Sequence, residues 1–180
     1  MKTIEHKFLD HKIDPNSETL IIGTFNPSTE SNPADFFYGR NRNFLWRILP
    51  CVFHEQDHKG ADLQKKIQFI RKHKIDFIDL ISVVSVDEGQ EANYNDDYID
   101  GRVIDWRNVI AEIDNLKNIK RVCFTRKTYS GIPNMKQRIE EIQQHCIENG
   151  IIFQSLLTPA RFYNENKQSE WNKFLLSDSK

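Results

Sequence analysis

Four short apolar runs, separated by segments with helical periodicity, constrain the fold of this chain more than any other feature. The runs cover residues 19–23, 75–81, 121–125 and 151–157. Continuous apolar runs of this length are typical of strands buried on both faces of a sheet. Strands that alternate with helices predict right-handed crossovers and a mostly parallel sheet. We therefore predict an α/β fold, a three-layer αβα sandwich with a central four-stranded parallel sheet, in one domain spanning residues 1–180.

The segments between these runs supply the outer layers of the predicted sandwich. The acidic stretch 86–100 is predicted to be a surface loop, because it combines high polarity with no apolar periodicity. Apolar residues recur at helical spacing in the other segments. We predict helices over 44–49 (ending at Pro50), 61–74, 106–116 and 135–148.

Composition narrows the classes of function. The net charge is −1, so no general electrostatic attraction draws the chain to nucleic acid, and any such binding must come from a local patch. The sequence contains neither an apolar run long enough to span a bilayer nor an N-terminal secretory pattern, so we expect a cytoplasmic location.

The cysteines and histidines do not form a metal-ligand pattern. Cys51, Cys123 and Cys146 lack zinc-ligand spacing and are interpreted as structural thiols. His54 and His58 lie four residues apart without further ligands nearby, so we expect no metal site.

Ligands of open α/β sheets bind beyond the carboxyl ends of the strands, which directs attention to the loops there. These loops contain residues 23–27, Ser82, Thr125 and 158–160, which are polar or small. Phosphate-binding and nucleophile-elbow motifs are lacking. None of these loops contains the usual nucleophiles or a metal-ligand cluster.

The segment 36–46 is the most informative part of the chain, because it combines aromatic, arginine and asparagine side chains just before a helix. Aromatic faces stack on planar bases, and amides hydrogen-bond a base edge or hold a water. Arginines and a helix N-terminus bind phosphate. An alternative stays open, in which Asn43 only caps the helix and the aromatics belong to the core.

These loops resemble the uracil-DNA glycosylase superfamily, most closely its hypoxanthine-DNA glycosylase branch and more distantly its thymine/mismatch branch. Gly23-Thr24-Phe25-Asn26-Pro27 is similar to that branch's Gly-Ser-x-Pro-like turn. Residues 37–46 are similar to its Tyr-Tyr-x-His-Pro-Arg-Asn-x-Phe-Trp stretch, 78–82 to its Trp-Asp-Val-x-x-Ser segment, and 157–160 to its Ser-Pro-Ala motif. The resemblance covers nearly the whole chain in the right order.

The resemblance implies a monomeric DNA glycosylase of base excision repair that needs no metal or cofactor. Such enzymes flip a damaged nucleotide out of the stack, and here the partner would be DNA containing uracil or hypoxanthine. Breaking the N-glycosidic bond builds positive charge on the sugar and negative charge on the base. The site must therefore place a water near C1′ and donate hydrogen bonds to the base.

Site residues follow from the resemblance position by position. Asn43 matches the catalytic asparagine of the nearest branch, and Asn26 is a second candidate, one position later than the catalytic asparagine of the mismatch branch. The predicted base pocket comprises Gly23, Thr24, Phe25, Tyr38 and Ser82. The predicted DNA contacts are Arg40, Arg42, Thr158, Pro159, Ala160 and Arg161.

Several departures from the pattern leave alternatives open. Arg40 and Asn41 replace a histidine and a proline, and Asn26 could equally be a structural Asn-Pro turn residue. Arg161 could fill the gap left by a flipped base or contact a phosphate, with Phe162 or Tyr163 as a wedge. Two other functions also stay open: a nucleic-acid-binding module without catalysis, and a hydrolase of free nucleosides or nucleotides.

Overall fold

Strands and helices alternate along most of the computed structural model, which describes residues 1–177. The strands are β1 Lys2–Glu5, β2 Thr19–Gly23, β3 Ile75–Asp79, β4 Ile81–Val86, β5 Val103–Trp106, β6 Arg121–Phe124 and β7 Ile152–Ser155. The helices are α1 Leu45–Val52, α2 Leu63–His73, α3 Asp96–Ile99, α4 Val109–Asp114, α5 Pro133–Glu148 and α6 Glu165–Leu176, and a 3₁₀ turn covers Asp100–Arg102. No helix within residues 1–177 has both the length and the apolar character needed to span a membrane.

The central sheet has four parallel strands in the order β3-β2-β6-β7. Thr19 at the start of β2 lies opposite Ile75 on one side and Arg121 on the other, so the three strands begin at the same level. Their carboxyl ends therefore meet at one edge of the sheet. The predicted α/β sandwich with a four-stranded parallel sheet is confirmed.

Helices cover both faces of the parallel sheet, which explains why its strands are continuously apolar. Ile21 and Phe77 face a core built with α1, α2 and α6. Leu20 and Ile22 face the opposite core, which contains residues of α4 and α5. Successive side chains of a strand point to opposite faces, so a strand between two cores must be apolar at every position.

A second, three-stranded antiparallel sheet in the order β1-β4-β5 was not predicted. The sequence predicted one strand over 75–81, but the chain changes direction at Leu80, whose N–H donates to the Gly23 carbonyl. β4 then pairs with β1 and β5. The predicted surface loop 86–100 is shorter than expected, because helix α3 occupies Asp96–Ile99. Helix α4 begins at Val109, later than predicted, because Trp106 belongs to β5.

Helix α1 continues through Pro50, where the sequence predicted its end. A proline in a helix lacks the N–H that would bond to the carbonyl four residues earlier. Here that carbonyl, on Trp46, accepts a hydrogen bond of 2.9 Å from the His58 N–H. The Trp46 indole N–H in turn donates to the Phe37 carbonyl at 2.8 Å. These bonds fix α1 against the loop that precedes it and the segment that follows it.

Candidate active site

Polar groups from three strand ends converge on Gly23, the last residue of β2. A Cβ atom on this glycine would overlap Asp79 Oδ1 and would lie 2.8 Å from Tyr38 Oη. The Tyr38 hydroxyl bonds to Thr125 Oγ1 at 3.4 Å, and the Thr125 hydroxyl donates to the Ile22 carbonyl at 3.3 Å. The missing side chain at Gly23 therefore leaves room where a carboxylate and a phenol approach each other.

Tyr38 reaches this position from a strained backbone. Its φ of 57° lies in the left-handed region, which a bulky residue adopts only when its surroundings impose it. Burial raises the pKa of the Tyr38 phenol well above its ordinary value, and the charge of Asp79 adds to the effect. The hydroxyl therefore remains a hydrogen-bond donor at neutral pH. The sequence placed Tyr38 in the pocket, and the structure brings it to the strand ends.

A buried histidine holds the Asp79 carboxylate at the end of β3. His6 Nε2 lies 2.7 Å from Asp79 Oδ2, and His6 Nδ1 accepts a hydrogen bond of 3.0 Å from the Phe8 N–H. Because Nδ1 is an acceptor, Nε2 is the ring nitrogen that donates to Asp79. Sequence reasoning did not identify this pair, since His6 lies in a short polar segment far from Asp79 along the chain.

Asn26 and Arg40 form a second polar group beside this cluster. Asn26 is buried, and its Oδ1 accepts hydrogen bonds from Asn32 Nδ2 at 2.6 Å and Arg40 Nη2 at 3.4 Å. The Arg40 guanidinium lies 3.6 Å from the centre of the Tyr94 ring. Burial lowers the pKa of Arg40, and Tyr94 and Asp79 oppose that shift. Arg40, predicted as a DNA contact, is thus packed into the protein at the edge of the site.

Tyr94 belongs to an acidic segment, residues 87–97, that covers this side of the site. The segment contains five acidic residues and no lysine or arginine. Asp96 anchors it through an ion pair of 2.6 Å with Arg126, which follows β6. The segment therefore packs Tyr94 against the half-buried Arg40, while the Asp96 carboxylate is paired with Arg126.

Asn43 lies in the same loop as Tyr38 and Arg40. Its backbone N–H donates to the Arg40 carbonyl at 2.9 Å, and its Oδ1 accepts from the Leu45 N–H at 3.0 Å. The side chain thus satisfies a free N–H at the start of α1, although the N-cap residue is Phe44 and not Asn43, the residue that the capping alternative predicted. Its Nδ2 forms no hydrogen bond within residues 1–177 and stays available to a ligand.

The loop that contains Asn43 is joined to the loop after β7 by backbone hydrogen bonds. The Phe44 N–H donates to the Pro159 carbonyl at 2.9 Å, and the Arg161 N–H donates to the Arg42 carbonyl at 2.7 Å. Between these bonds, Asn43 and Ala160 form an isolated β-bridge. The structure therefore unites two segments that the sequence predicted separately, and we call residues 40–44 and 158–162 the paired loops.

The paired loops carry exposed cationic and apolar side chains. Arg42, Thr158 and Arg161 are exposed, and Phe162 is 54% exposed despite its size. Arg161 has a φ of 75°, which turns the chain sharply at this point. Exposed arginine and phenylalanine side chains at one tip suit phosphate contact and insertion between bases.

Lys167 of α6 supports the paired loops from beneath and was not identified from the sequence. Its Nζ donates to the Ala160 carbonyl at 2.8 Å and to the Phe162 carbonyl at 2.7 Å, on either side of Arg161. Burial lowers the pKa of Lys167, and the Arg161 charge adds to that shift. A buried ammonium bonded in this way fixes the backbone conformation of residues 160–162, the tip of the paired loops.

Three of the predicted pocket residues connect the strand end to the antiparallel sheet. The Thr24 carbonyl accepts from the Ile81 N–H, and the Ser82 carbonyl accepts from the His6 N–H at 2.8 Å. Phe25 is 9% exposed and packs edge-on against the His6 ring. The N–H groups of Thr24 and Phe25 donate no backbone hydrogen bond within residues 1–177. A base contact by these residues stays a prediction.

Residues 1–177 contain no group of three or more His, Cys, Asp or Glu side chains placed to hold a metal ion. Cys123 and Cys146 are buried, whereas Cys51 is exposed. The polar groups that lie at the sheet edge include amides, hydroxyls, the Asp79 carboxylate, the His6 imidazole and the Arg40 guanidinium.

Comparison with known proteins places this site in a recognised fold. No protein-family model matches the chain, and no curated protein matches it. The chain is similar to the solution NMR structure of a candidate uracil DNA glycosylase from Methanosarcina acetivorans, with 21% sequence identity over 91% of each chain and a TM-score of 0.62. The chain therefore has a uracil-DNA glycosylase-like fold.

Proposed function

We propose that this chain is a DNA glycosylase that hydrolyses the N-glycosidic bond of a deaminated base, uracil or hypoxanthine, in DNA. The observation that carries the proposal is the position of Tyr38 and Asn43 in one loop at the carboxyl ends of the parallel strands. In open α/β folds this edge is where ligands bind. The similarity to a candidate uracil DNA glycosylase supports the same function.

The groups at the sheet edge match the charges that develop during base release. Negative charge forms on the departing base, and the unpaired N–H groups of Thr24 and Phe25 are donors for it. The Tyr38 hydroxyl becomes a further donor when it gives up its 3.4 Å bond to Thr125. Donors fixed in place before the reaction stabilise such charge without reorganisation. The Arg40 guanidinium adds positive charge beside the pocket.

Asn43 is the better candidate for the catalytic amide. Asn26 is 6% exposed, and Asn32 and Arg40 already donate to its Oδ1. Asn43 is half-buried, its Oδ1 has one protein partner, and an amide oxygen accepts two hydrogen bonds. We propose that Asn43 orients the attacking water and that Asn26 holds Arg40.

The test uses labelled duplexes that carry uracil, hypoxanthine or a mismatched thymine, followed by alkaline cleavage of abasic sites. We expect Asn43→Ala to slow base release by about 100-fold or more, the loss typical of a missing group at a catalytic centre. Asn41→Ala, an exposed change in the same loop, is the matched control. Unchanged release by Asn43→Ala, with loss in Asn26→Ala, would transfer the catalytic role to Asn26.

The acidic segment 87–97 favours a second candidate function, hydrolysis of free nucleosides or nucleotides. The five carboxylates of this segment disfavour a long phosphate backbone near the site, whereas a free nucleoside carries no phosphate. The dependence of turnover on salt concentration distinguishes the two functions. Turnover of duplex DNA that weakens steeply with salt supports the glycosylase, and salt-insensitive turnover of a nucleoside supports the second function.

A further inference from the structure

We infer that residues 94–97 form a strap across the entrance of the site, and that the Asp96 carboxylate holds Arg126 in the place of a DNA phosphate. The inference rests on the proposed function, which supplies the phosphate. It makes the strap an intramolecular competitor of the substrate. The strap must leave before a nucleotide can enter the site.

The strap is tied to both loops that enclose the site. Tyr94 packs its ring on the Arg40 guanidinium at 3.6 Å, two residues beyond Tyr38. Asp96, two residues further along the strap, accepts a hydrogen bond of 2.6 Å from Arg126 Nη1. Two residues of chain span at most about 7 Å, so the strap holds the two loops close together.

The Asp96 end of the strap lies near the hydroxyl groups at the strand ends. Arg126 directly follows Thr125, whose Oγ1 lies 3.4 Å from Tyr38 Oη. Burial and the charge of Asp79 raise the pKa of the Tyr38 phenol, and the charge of Asp96 adds a smaller contribution. The Asp96 carboxylate is therefore near enough to act on the phenol. A phosphate group that approaches Tyr38 would meet this negative charge, so it binds only after the strap moves.

The Arg126 guanidinium is also held in place without the strap. Its Nε donates to the Thr128 carbonyl at 2.6 Å, and its Nη2 donates to the Ser130 carbonyl at 3.3 Å. Its Nη1 donates to Asp96, which belongs to a distant part of the chain. The N–H groups of a guanidinium bind a phosphate oxygen as well as a carboxylate oxygen. When the strap leaves, Arg126 therefore stays oriented for a phosphate.

The strap belongs to a loop whose ends are fixed to each other. The Asp87 N–H donates to Tyr98 Oη, and the Tyr98 hydroxyl donates to Asp87 Oδ2, both at 3.0 Å. Beyond the loop, the buried Asp100 carboxylate accepts from the Asn134 N–H at 3.0 Å, at the start of α5. Residues 88–97 can therefore move while both sheets and α5 stay intact.

The first experiment measures the affinity for a uracil or hypoxanthine duplex by fluorescence anisotropy, separately from base release. Asp96→Asn keeps the size of the side chain and removes its charge, so we expect the duplex to bind about 10-fold more tightly, the effect of one hydrogen bond to a charged group. Glu88→Gln changes an exposed carboxylate of the same acidic segment and is the matched control for net charge. It should change the affinity by less than about 2-fold, because solvent and salt screen an exposed charge.

The second experiment removes the partner of Asp96. We expect Arg126→Gln to weaken duplex binding and to make the slope of log affinity against log salt concentration smaller by about one, because one phosphate contact is lost. Asp96→Asn should give no gain when it is combined with Arg126→Gln. A gain that persists in this double variant would overturn the exchange of Asp96 for a phosphate.

A disulfide tests the movement of the strap directly. A Cβ atom on Gly131 would lie 3.2 Å from Asp97 Cβ, slightly closer than the separation of about 3.5–4.5 Å in disulfides. We expect Asp97→Cys with Gly131→Cys, in a Cys51→Ser background that lacks the exposed thiol, to bind duplex about 10-fold more weakly when oxidised than when reduced. The reduced form is the control for strain at Gly131, and thiol titration verifies the bridge. If the bridge does not form, the double variant of Asp96 and Arg126 decides.

The outcomes separate this inference from the proposed function. Tighter binding by Asp96→Asn, without base release from any duplex, would support the strap and overturn the glycosylase. Base release by a protein whose duplex affinity changes neither in Asp96→Asn nor on oxidation of the cysteine pair would overturn the strap and leave the glycosylase in place.

Discussion

Replacement of Gly23 by alanine tests the packing at the strand ends directly. The new Cβ would overlap Asp79 Oδ1, and it would lie 2.8 Å from Tyr38 Oη and 3.2 Å from Asp79 Cγ. Ordinary Cβ contacts begin near 3.4 Å, so at least one partner must move. Asp79 is a short side chain bonded to His6, and it can retreat only by weakening that bond.

The expected loss of stability in Gly23→Ala follows from the hydrogen bond between His6 and Asp79. A hydrogen bond to a charged group contributes about 1.5–3 kcal/mol to stability, and overpacking of a filled site costs a similar amount. For a chain of this size, a loss of about 1.5–3 kcal/mol corresponds to a fall in melting temperature of roughly 3–12 °C. Displacement of the pocket groups by about 1 Å should slow base release by about 100-fold.

The assay pairs thermal denaturation with base release from a uracil or hypoxanthine duplex. Gly101→Ala is the matched control, because a Cβ at Gly101 meets no atom within 4 Å. We expect Gly101→Ala to keep the stability and activity of the wild type. A Gly23→Ala protein as stable and as active as the Gly101→Ala protein would refute the crowded arrangement of Asp79 and Tyr38.

Three further outcomes can be measured. Lys167→Met should lower the free energy of unfolding by about 1–3 kcal/mol, because two carbonyls of the paired loops lose their donor, and chemical denaturation measures the change. Burial raises the pKa of Cys146 to about 11, so the folded state keeps the thiol proton that the unfolded state loses above about pH 9. Stability should therefore fall between about pH 9 and 11, less so in Cys146→Ala, in urea titrations at each pH. A thiol reagent should label Cys51 in the native protein and the other two cysteines only after unfolding.

The parallel sheet was predictable because burial on both faces imposes continuous apolar runs. Strand β2 was predicted with its observed bounds, and β6 and β7 were predicted to within two residues at each end. The antiparallel sheet was missed because β1 and β5 are short and partly exposed. The break at Leu80 was also missed, since the apolar run continues through it and the change of direction depends on hydrogen bonds to β2.

The candidate site was predictable only where its residues follow one another along the chain. Tyr38 and Asn43 were identified from a single segment and lie in one loop of the structure. The His6–Asp79 bond and the two bonds of Lys167 join residues whose relation is set by the fold. Periodicity and local spacing carry no information about such partners.

The paired loops have a consequence for the order of folding. The bonds between Phe44 and Pro159 and between Arg161 and Arg42 connect segments that are almost two-thirds of the chain apart. Closing so large a loop is slow and entropically unfavourable until the sheet between its ends has formed. The tip that carries Arg161 is therefore assembled among the last parts of the molecule. During refolding, recovery of activity should lag behind recovery of helical and sheet structure.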